Sequence, residues 1–516
     1  MRRSVPMAGF TSILSPYPET VVAADVAPSC FPDLHLDDII AAVTGGHSDD
    51  HLENFFYAPL RDVSAVDYRH RVFRDLDRDQ MRRAIQNFVD GMRTMRRRLD
   101  RAQHLWHPLQ RQGWFVDAVE AYRAAVESLR DDLIRVEPAS PGLRAFADHV
   151  NQYVDSDTFK ALVADTQAVR AELRNVRYTV HIQGLRVHVD KFEGQGDYSN
   201  AVVATFDRFA TEATKDYRVP LKDFPDMNHV EEQILERVAK LYPDVFALLD
   251  EYCRRNQHFV ERTIARFDRE IRFYLAYLAF VHRFTAAGLA FTFPEVTTET
   301  TAVDVDDAFD LALAIKSIDE DKPIVCNDFR LSGPERIFVV TGPNQGGKTT
   351  FARTIGQCAY LAALGCPIPA RRAKLMLPDH IYTHFERQES LSTLHGKLDD
   401  ELVRIHDILC RATEASIVIM NESFSSTTAD DALLIGTEVL QRIIKLGCVA
   451  VYVTFLDELS TLDPACASMV GEVARDDPTR RTFKFTRRPA DGLAYAAALA
   501  DKYALNPEVL RQRIGR

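Results

Sequence analysis

A glycine-rich stretch in the last third of the chain constrains the fold more than any other feature. Its pattern is G-x-x-x-x-G-K-T over residues 342–349, and it separates two periodic runs. The apolar run before it, residues 337–341, has the length and composition of a buried strand, and residues 350–364 show helical periodicity. Glycines let backbone N–H groups converge on a phosphate, and the N-terminus of the following helix adds partial positive charge. The pattern therefore predicts a phosphate-binding loop between a strand and a helix.

Every residue of this loop is a candidate for nucleotide binding. The residues expected to hold ATP are Gly342, Pro343, Asn344, Gln345, Gly346, Gly347, Lys348, Thr349 and Thr350. Lys348 is also a candidate catalytic residue, because its ammonium group would neutralise the β and γ phosphates. The hydroxyl of Thr349 is expected to bind Mg²⁺, so ATP and Mg²⁺ are the predicted cofactors. The alternative is a glycine-rich turn that binds nothing, and the strand and helix on either side argue against it.

A second apolar run supplies the usual partner of a phosphate loop. Residues 417–420 form this run, and Asn421 and Glu422 follow it directly. Asn421 stands where an aspartate that organises Mg²⁺ is expected, so it is the second candidate metal residue. Glu422 is positioned to accept a proton from the attacking water, which is the role of a general base. The structural alternative is an apolar strand that merely ends in a polar pair, as many α/β proteins have.

The rest of the chain divides by its periodicity. At 516 residues it is about three times the length of a typical domain, so several domains are expected. Helical runs cover residues 72–134 with a break at 106–108, residues 158–173, and residues 229–284 in two stretches that meet near Tyr242-Pro243 or form an antiparallel pair. Strand-like runs cover residues 336–341, 416–420 and 448–454. Because these strands alternate with helical segments, the last third is predicted to form a parallel α/β sheet.

Residues 177–192 change to a period of two, which predicts a β-hairpin turning at residues 183–184. The apolar members of the pattern are Tyr178, Val180, Ile182, Leu185, Val187 and Val189. The opposite face is mostly basic. Arg177, Arg186 and Lys191 are the candidate DNA-binding residues, because cations in such a position bind phosphates without reading sequence. The alternative is a solvated edge.

Charged residues elsewhere in the chain give weaker evidence for nucleic-acid binding. The formal net charge of -12 argues against a uniformly basic coat, although local basic faces are compatible with it. Arg93, Arg97 and Arg101 fall on one stripe of a predicted helix, but interspersed acidic residues favour a solvated helix face there.

The eight cysteines are scattered without metal-site spacing and are interpreted as reduced, buried thiols. Ser and Pro interrupt the N-terminal apolar residues, so we expect neither export nor membrane insertion, and a cytoplasmic location.

The loop also resembles a particular family. Residues 341–350 are similar to the TGPNMGGKST phosphate loop of the MutS family of DNA mismatch-repair ATPases. Upstream, residues 325–331 resemble its V-P-N-D-x-x-L segment, and downstream residues 379–383 resemble D-x-I-F-T. Residues 55–72 resemble the opening of the MutS core. The resemblance implies a multidomain protein with a mainly α-helical core and lever, a small β clamp, and a P-loop α/β ATPase domain of the ABC/MutS type.

The resemblance also implies domain limits, partners and an activity. The implied domains are an N-terminal segment (1–30), a helical core and lever with the hairpin clamp (31–300), and the ATPase domain (301–516). The implied activity is ATP binding with slow hydrolysis, driving a clamp on duplex or branched DNA. The implied assembly is a homodimer or a heterodimer with a paralogue. Core-like sequence begins by about residue 32, so the family's mismatch-reading domain is expected to be absent.

Several residues depart from the family pattern. In the segment that resembles its trans-acting signature, Ser390 replaces a glycine and Lys397 replaces a glutamate. Phe455 stands where the family has a γ-phosphate-sensing histidine, and Asn421 replaces the aspartate. These changes coincide with an intact phosphate loop, so two hypotheses follow. The first is a DNA-clamping ATPase, and the second is an ATP-binding switch or scaffold that recruits proteins without turnover.

Overall fold

The structure, a computed structural model, describes residues 9–45, 51–184, 186–195, 227–299, 302–386, 396–474, 476–477 and 480–490. The chain forms two compact units. The first comprises residues 1–82, 138–146 and 266–516, and the second comprises residues 83–137 and 147–265. The boundaries expected at residues 30 and 300 do not coincide with these units.

Helices dominate the first 290 residues. The α-helices are α1 Phe31–Leu34, α2 Leu36–Thr44, α3 Val63–Leu76, α4 Asp79–His104, α5 Pro108–Val136, α6 Pro141–Asp155, α7 Asp157–Asn175, α8 His229–Leu241, α9 Pro243–Arg255, α10 Arg262–Ala286, α11 Leu311–Asp319, α12 Lys348–Ala363, α13 Lys397–Arg411 and α14 Ala429–Leu446. The strands are β1 Tyr178–Gln183, β2 Arg186–Lys191, β3 Glu295–Thr297, β4 Val303–Ala308, β5 Asn327–Arg330, β6 Ile337–Thr341, β7 Arg372–Met376, β8 Ile381–Phe385, β9 Ile417–Asn421, β10 Val449–Val453, β11 Cys466–Val473 and β12 Arg481–Arg487. No helix among the described residues is long and apolar enough to cross a membrane.

Local sequence accounts for most of the helix ends. The predicted break at residues 106–108 is confirmed, because α5 begins with Pro108, whose fixed φ suits the first turn of a helix. Helix α8 begins with a capping box in which Asn228 and Glu231 satisfy each other's backbone N–H groups. The break at Tyr242-Pro243 is also confirmed, but the helical run has a second break at residues 256–261 that the periodicity did not predict.

The C-terminal part of the first unit is built on a six-stranded sheet of order β12-β11-β6-β10-β9-β8. The five strands from β11 to β8 are parallel, and β12 joins β11 antiparallel. Strands β6, β9 and β10 are buried along their whole length, which fits their continuous apolar sequence. The three strand-like runs predicted from the sequence are therefore confirmed, and the carboxyl ends of all five parallel strands lie along one edge of the sheet.

The first 82 residues pack with this sheet as part of the same unit. Arg69 is fully buried, and it donates from Nε to the carbonyl of Leu14 and from Nη1 to that of Leu364, each at 2.8 Å. Tyr360, on α12, donates to the carbonyl of Phe56 at 2.8 Å. Desolvation lowers the pKa of Arg69. The contacts of Arg69 with Leu364 and of Tyr360 with Phe56 join residues 295 and 304 positions apart, so the helix that follows the phosphate loop is anchored at its far end by the N-terminal part of the chain.

The eight cysteines are free thiols. Four are buried, but Cys410 is exposed, so the expectation that all are buried is wrong. Cys410 lies on α13, where its side chain points to solvent beside His406, 3.5 Å away. Helical periodicity places it on the exposed side, which the count and spacing of cysteines could not indicate.

Candidate phosphate-loop site

The glycine-rich loop connects the end of β6 to the start of α12. Gly342 has φ of 128° and Gly347 has φ of 89°, both in the region that favours glycine. A Cβ on Gly342 would lie 2.9 Å from the backbone nitrogen of Gly471 on β11. The two glycines therefore allow both the backbone path and the close approach of a neighbouring strand. Gln345, inside the loop, is also left-handed, with φ of 59°.

Lys348, the first residue of α12, folds back into the loop. Its residue exposure is only 5%, and Nζ lies 3.2 Å from the carbonyl of Gly342 and 3.2 Å from Asn344 Oδ1. The carboxylate of Glu422 is 3.8 Å away from the same ammonium group. Burial lowers the pKa of Lys348, and the charge of Glu422 opposes this shift. The loop thus holds a desolvated cation whose charge the carboxylate of Glu422 partly balances.

The two candidate metal residues are in contact, although 72 positions separate them. Thr349 donates from Oγ1 to Asn421 Oδ1 at 2.9 Å, and Asn421 is the buried last residue of β9. Both side chains offer the oxygen atoms that Mg²⁺ prefers, so the pair fits a magnesium site. Neither side chain carries a charge, however. A magnesium ion here would rely on phosphate oxygens and on Glu422 for negative charge.

Glu422 lies at a turn of unusual backbone conformation. Its φ is 50° and that of Phe424 is 64°, both left-handed for residues with side chains. The turn is held by surrounding contacts, since Phe424 N donates to the buried carboxylate of Glu401 at 2.9 Å and Ser423 contacts His384 at 3.0 Å. These contacts fix the backbone from which the Glu422 side chain, 41% exposed, reaches towards Lys348. Nothing in the local sequence pattern had indicated a role for Glu401 or His384.

A cavity of about 630 Å³ opens beside the loop. Its lining combines residues of the loop with a mostly apolar group, which is called the apolar wall. The apolar wall includes Leu313, Pro323, Ile324, Val325, Phe483 and Phe485. The cavity thus joins a polar, cationic end to an apolar end within the first unit.

The aromatic residues of this wall come from the edge strand β12. Phe485 stacks on Phe351 of α12, with ring centroids 4.6 Å apart. The side chain of Asn327 fixes the strand by donating to Phe483 O at 3.0 Å and accepting from Phe485 N at 2.8 Å. This wall was not predicted from the sequence, although the alternation of residues 481–487 is a strand signal that could have revealed it.

The hairpin of the second unit has the predicted strands but a different arrangement of charges. Gln183, which was predicted to lie in the turn, is the last residue of β1 and pairs with Arg186, so the turn begins one position later, at Gly184. Residues alternate between faces along a strand, so Lys191, which pairs with Tyr178, lies on the apolar face. The prediction that Lys191 shares a face with Arg186 is therefore wrong. Its ammonium group lies 5.1 Å from the centre of the Tyr242 ring, a cation–π contact.

Exposure of the hairpin also differs from expectation. Four apolar residues of the pattern, Tyr178, Val180, Ile182 and Val187, are exposed, with Ile182 at 76% and Tyr178 at 45%. Arg177 directly precedes β1 and Arg186 begins β2, and both are exposed. The structure thus keeps these two arginines available to a ligand.

Two of the departures from the family pattern fall on or next to residues without a described placement. Residues 387–395, which include Ser390 and most of the signature-like segment, lie outside the described residues, and of Lys397 only its position at the start of α13 is described. Phe455 follows β10 and is 52% exposed. It lies after Thr454, whose N–H donates to Val340 of β6 at 3.1 Å, next to the phosphate-loop strand.

Comparison with known proteins matches the same region. The family model described as MutS domain V matches residues 338–500. The DNA mismatch repair protein MutS of Thermotoga sp. (strain RQ2) is 29% identical over 168 residues, which are 33% of this chain and 21% of the relative. MutS of Chlorobaculum tepidum is 28% identical over 196 residues, 37% of this chain and 22% of the relative. Endonuclease MutS2 of Thermus thermophilus is 28% identical over 190 residues, 36% of this chain and 25% of the relative.

Fold and site together define an α/β domain with a phosphate-loop motif between a central parallel strand and the following helix. The match covers this domain from β6 onwards, so residues 338–500 are similar to MutS domain V. The chain spans a quarter or less of the length of these curated relatives.

Proposed function

We propose that this protein binds ATP with Mg²⁺, hydrolyses it slowly, and uses the nucleotide to control a DNA clamp in DNA repair or the handling of DNA structures. The observation that carries the proposal is the constellation of Lys348, Thr349, Asn421 and Glu422 around one glycine-rich loop. The names of the matched relatives, which are DNA mismatch repair proteins and an endonuclease, supply the DNA context.

The site has features that suit both the triphosphate and the adenine ring of ATP. The triphosphate is expected to take the place of the carbonyl and amide oxygens that now surround Lys348 Nζ, since it offers a full negative charge to a desolvated ammonium group. The adenine ring is expected to enter the apolar part of the cavity, beside Phe483 and Phe485. Bound Mg²⁺ would supply charge neutralisation between the phosphates. Thr349 and Asn421 are the residues that would hold it.

Hydrolysis depends on Glu422 in this proposal. The carboxylate is near enough to Lys348 to form an ion pair, so phosphate binding at Lys348 would weaken that pair. The carboxylate could then accept a proton from a water molecule positioned for attack on the γ phosphate. Binding of the nucleotide would in this way prepare the base.

DNA binding is assigned to the hairpin of the second unit. Arg177 and Arg186 are exposed beside a two-stranded sheet, and guanidinium groups bind phosphate oxygens in a fixed fork geometry. Such contacts hold duplex or branched DNA by its backbone and carry no sequence information. The ATP-dependent clamp is expected to work as a homodimer or a paralogue heterodimer.

A protein scaffold that binds ATP without turnover is the second candidate function. It is favoured by Asn421, which brings no charge to the metal site, and by Phe455, whose side chain is exposed and cannot donate a hydrogen bond. Titration of ATP hydrolysis with linear duplex, branched and single-stranded DNA separates the two candidates. Stimulation by DNA supports the clamp, and ATP binding without turnover on any DNA supports the scaffold.

Asn421→Asp should increase ATP hydrolysis and lower the concentration of Mg²⁺ needed for half-maximal activity. The substitution adds a negative charge 2.9 Å from Thr349 Oγ1 without changing the size of the side chain. The expected change in activity is about 10–100-fold, the range typical of substitutions at residues that hydrogen-bond to a metal ligand, as Asn421 does to Thr349. The measurement is steady-state hydrolysis over a Mg²⁺ series. A lower rate in a folded variant would mean that the site is built around the amide.

The double variant Arg177→Ala/Arg186→Ala should weaken duplex binding equally for all sequences and leave ATP binding unchanged. Each lost phosphate contact should flatten the log–log dependence of affinity on salt by roughly 0.9. Lys191→Ala is the matched control, since Lys191 lies on the other face against Tyr242. The measurement is the affinity of both variants and the wild-type protein for duplex DNA at several salt concentrations. Equal losses in the control would assign DNA binding to the whole hairpin, and an unchanged double variant would remove the hairpin from the DNA site.

A further inference from the structure

A cleft in the second unit concentrates arginine side chains away from the hairpin. It has a volume of about 610 Å³ and lies among α4, α5 and α7. Four arginines and two carboxylates line it: Arg98, Arg123, Arg170, Arg174, Asp117 and Glu120. We refer to it as the arginine cleft. Its lining carries two positive charges in excess.

The two carboxylates are each taken by one arginine. Arg170 pairs with Asp117, and Arg123 pairs with Glu120. Outside the lining, Glu127 is a second partner of Arg123. These ion pairs hold two of the guanidinium groups in place, so their positions are fixed before any ligand arrives.

The other two arginines lack such partners among the described residues. Arg98 donates to the backbone carbonyl of Asp117 at 2.6 Å, and within the described chain neither Arg98 nor Arg174 forms an ion pair with a carboxylate. Arg170 Nε is buried and finds no acceptor in the described part of the structure. A buried donor without an acceptor costs free energy, which a ligand oxygen in the cleft would recover. The cleft therefore has both spare charge and spare donors.

The pKa of Glu120 also indicates a positive electrostatic potential in the cleft. The pKa of Glu120 is lowered by its hydrogen bond from Arg123, against the opposing effect of partial burial. The charges of Arg170 and Arg174 lower this pKa further, so both act on the same region of the cleft. An anion entering there would meet guanidinium groups from three helices.

We propose that the arginine cleft is a second binding site for the phosphodiester backbone of duplex DNA. Neighbouring guanidinium groups can donate hydrogen bonds to several oxygens of one phosphate. The cleft is also much larger than a single phosphate ion, so it suits a phosphate that belongs to a longer polyanion. Arg174 lies on the last turn of α7, three residues before Arg177 at the start of the hairpin. A DNA backbone bound at the hairpin would therefore find its next cationic contacts along α7. The inference rests on the proposed DNA-binding function and extends its contact surface.

Duplex affinity over a range of salt concentrations tests the cleft. Arg98→Ala/Arg174→Ala should bind duplex DNA more weakly, with a salt slope flatter by roughly 0.9 for each lost phosphate contact. The matched control is Arg97→Ala/Lys160→Ala, which removes two exposed positive charges from the same helices, α4 and α7, outside the cleft. Arg174→Ala alone gives a variant with little risk to folding, because Arg174 is exposed and has no described ion pair.

The outcomes separate the cleft from the hairpin. If the hairpin variant loses affinity while the cleft variants keep wild-type affinity and slope, the cleft proposal is overturned and the proposed function stands. If the wild-type protein binds no duplex DNA, both fail. A loss in the control equal to that in the cleft variant would also overturn the proposal, because it would indicate only the effect of net charge.

Protection of individual arginines from chemical modification shows which ligand binds in the arginine cleft. Phenylglyoxal modifies accessible arginines, and mass spectrometry of the full chain measures each site. Duplex DNA should protect Arg98 and Arg174 several-fold, and it should leave Arg97 reactive. Inorganic pyrophosphate, added at the same phosphate concentration, should protect them much less. Stronger protection by pyrophosphate than by DNA would assign the cleft to a small phosphorylated ligand and overturn the choice of DNA.

Discussion

Lys348→Ala is expected to reduce ATP affinity by about 30-fold to several thousand-fold. The loss corresponds to roughly 2–5 kcal/mol, the usual cost of removing one partner of a buried, hydrogen-bonded charge pair. Lys348 is the buried cation of the loop, and without it the phosphates would enter a loop whose remaining donors are neutral and whose positive charge comes from a helix N-terminus. Isothermal titration with ATP and Mg²⁺ measures the change.

The matched control for this variant is Lys374→Ala. Lys374 lies on β7 in the same unit and pairs with Glu295 at the surface, so its removal takes away the same charge outside the loop. ATP affinity should remain at the wild-type level in the control. Thermal unfolding of both variants shows whether the fold is kept. Wild-type affinity in a folded Lys348→Ala protein would end the assignment of the phosphate loop.

Glu422→Gln is expected to lower ATP hydrolysis by about 10²- to 10⁴-fold while ATP binding is retained. The amide has the same shape as the carboxylate but cannot accept a proton from the attacking water. It also removes the negative charge 3.8 Å from Lys348 that competes with the phosphates for this ammonium group, which is why ATP binding should be retained. Single-turnover hydrolysis and nucleotide titration measure the two effects separately.

Glu438→Gln makes the same chemical change at a surface position of α14, where Glu438 pairs with Arg442. Its turnover should match that of the wild-type protein. Unchanged turnover in Glu422→Gln would assign the base to another residue. If the wild-type protein binds ATP but does not hydrolyse it, Glu422→Gln has no activity to lower. The scaffold function then explains the site better.

The sequence by itself determined the parts of the site that are local. The pattern of residues 337–349 predicts a strand, a loop and a helix, and β6 and α12 appear there. Continuous apolar runs predicted the buried strands β9 and β10, because a strand covered on both faces needs apolar residues at every position. Proline marked two helix starts, at Pro108 and Pro243, for an equally local reason, since it restricts the backbone at its own position.

Tertiary structure decided what these elements bring together. Thr349 meets Asn421 because β6 and β9 both pair with β10, which no periodicity encodes. Phe483 and Phe485 reach the cavity because β12 folds back antiparallel on β11. Register placed Lys191 on the apolar face of the hairpin, and the packing of three helices created the arginine cleft. The physical reason is the same in each case: periodicity fixes which face of an element is apolar, whereas contacts between distant side chains depend on how the elements pack against one another.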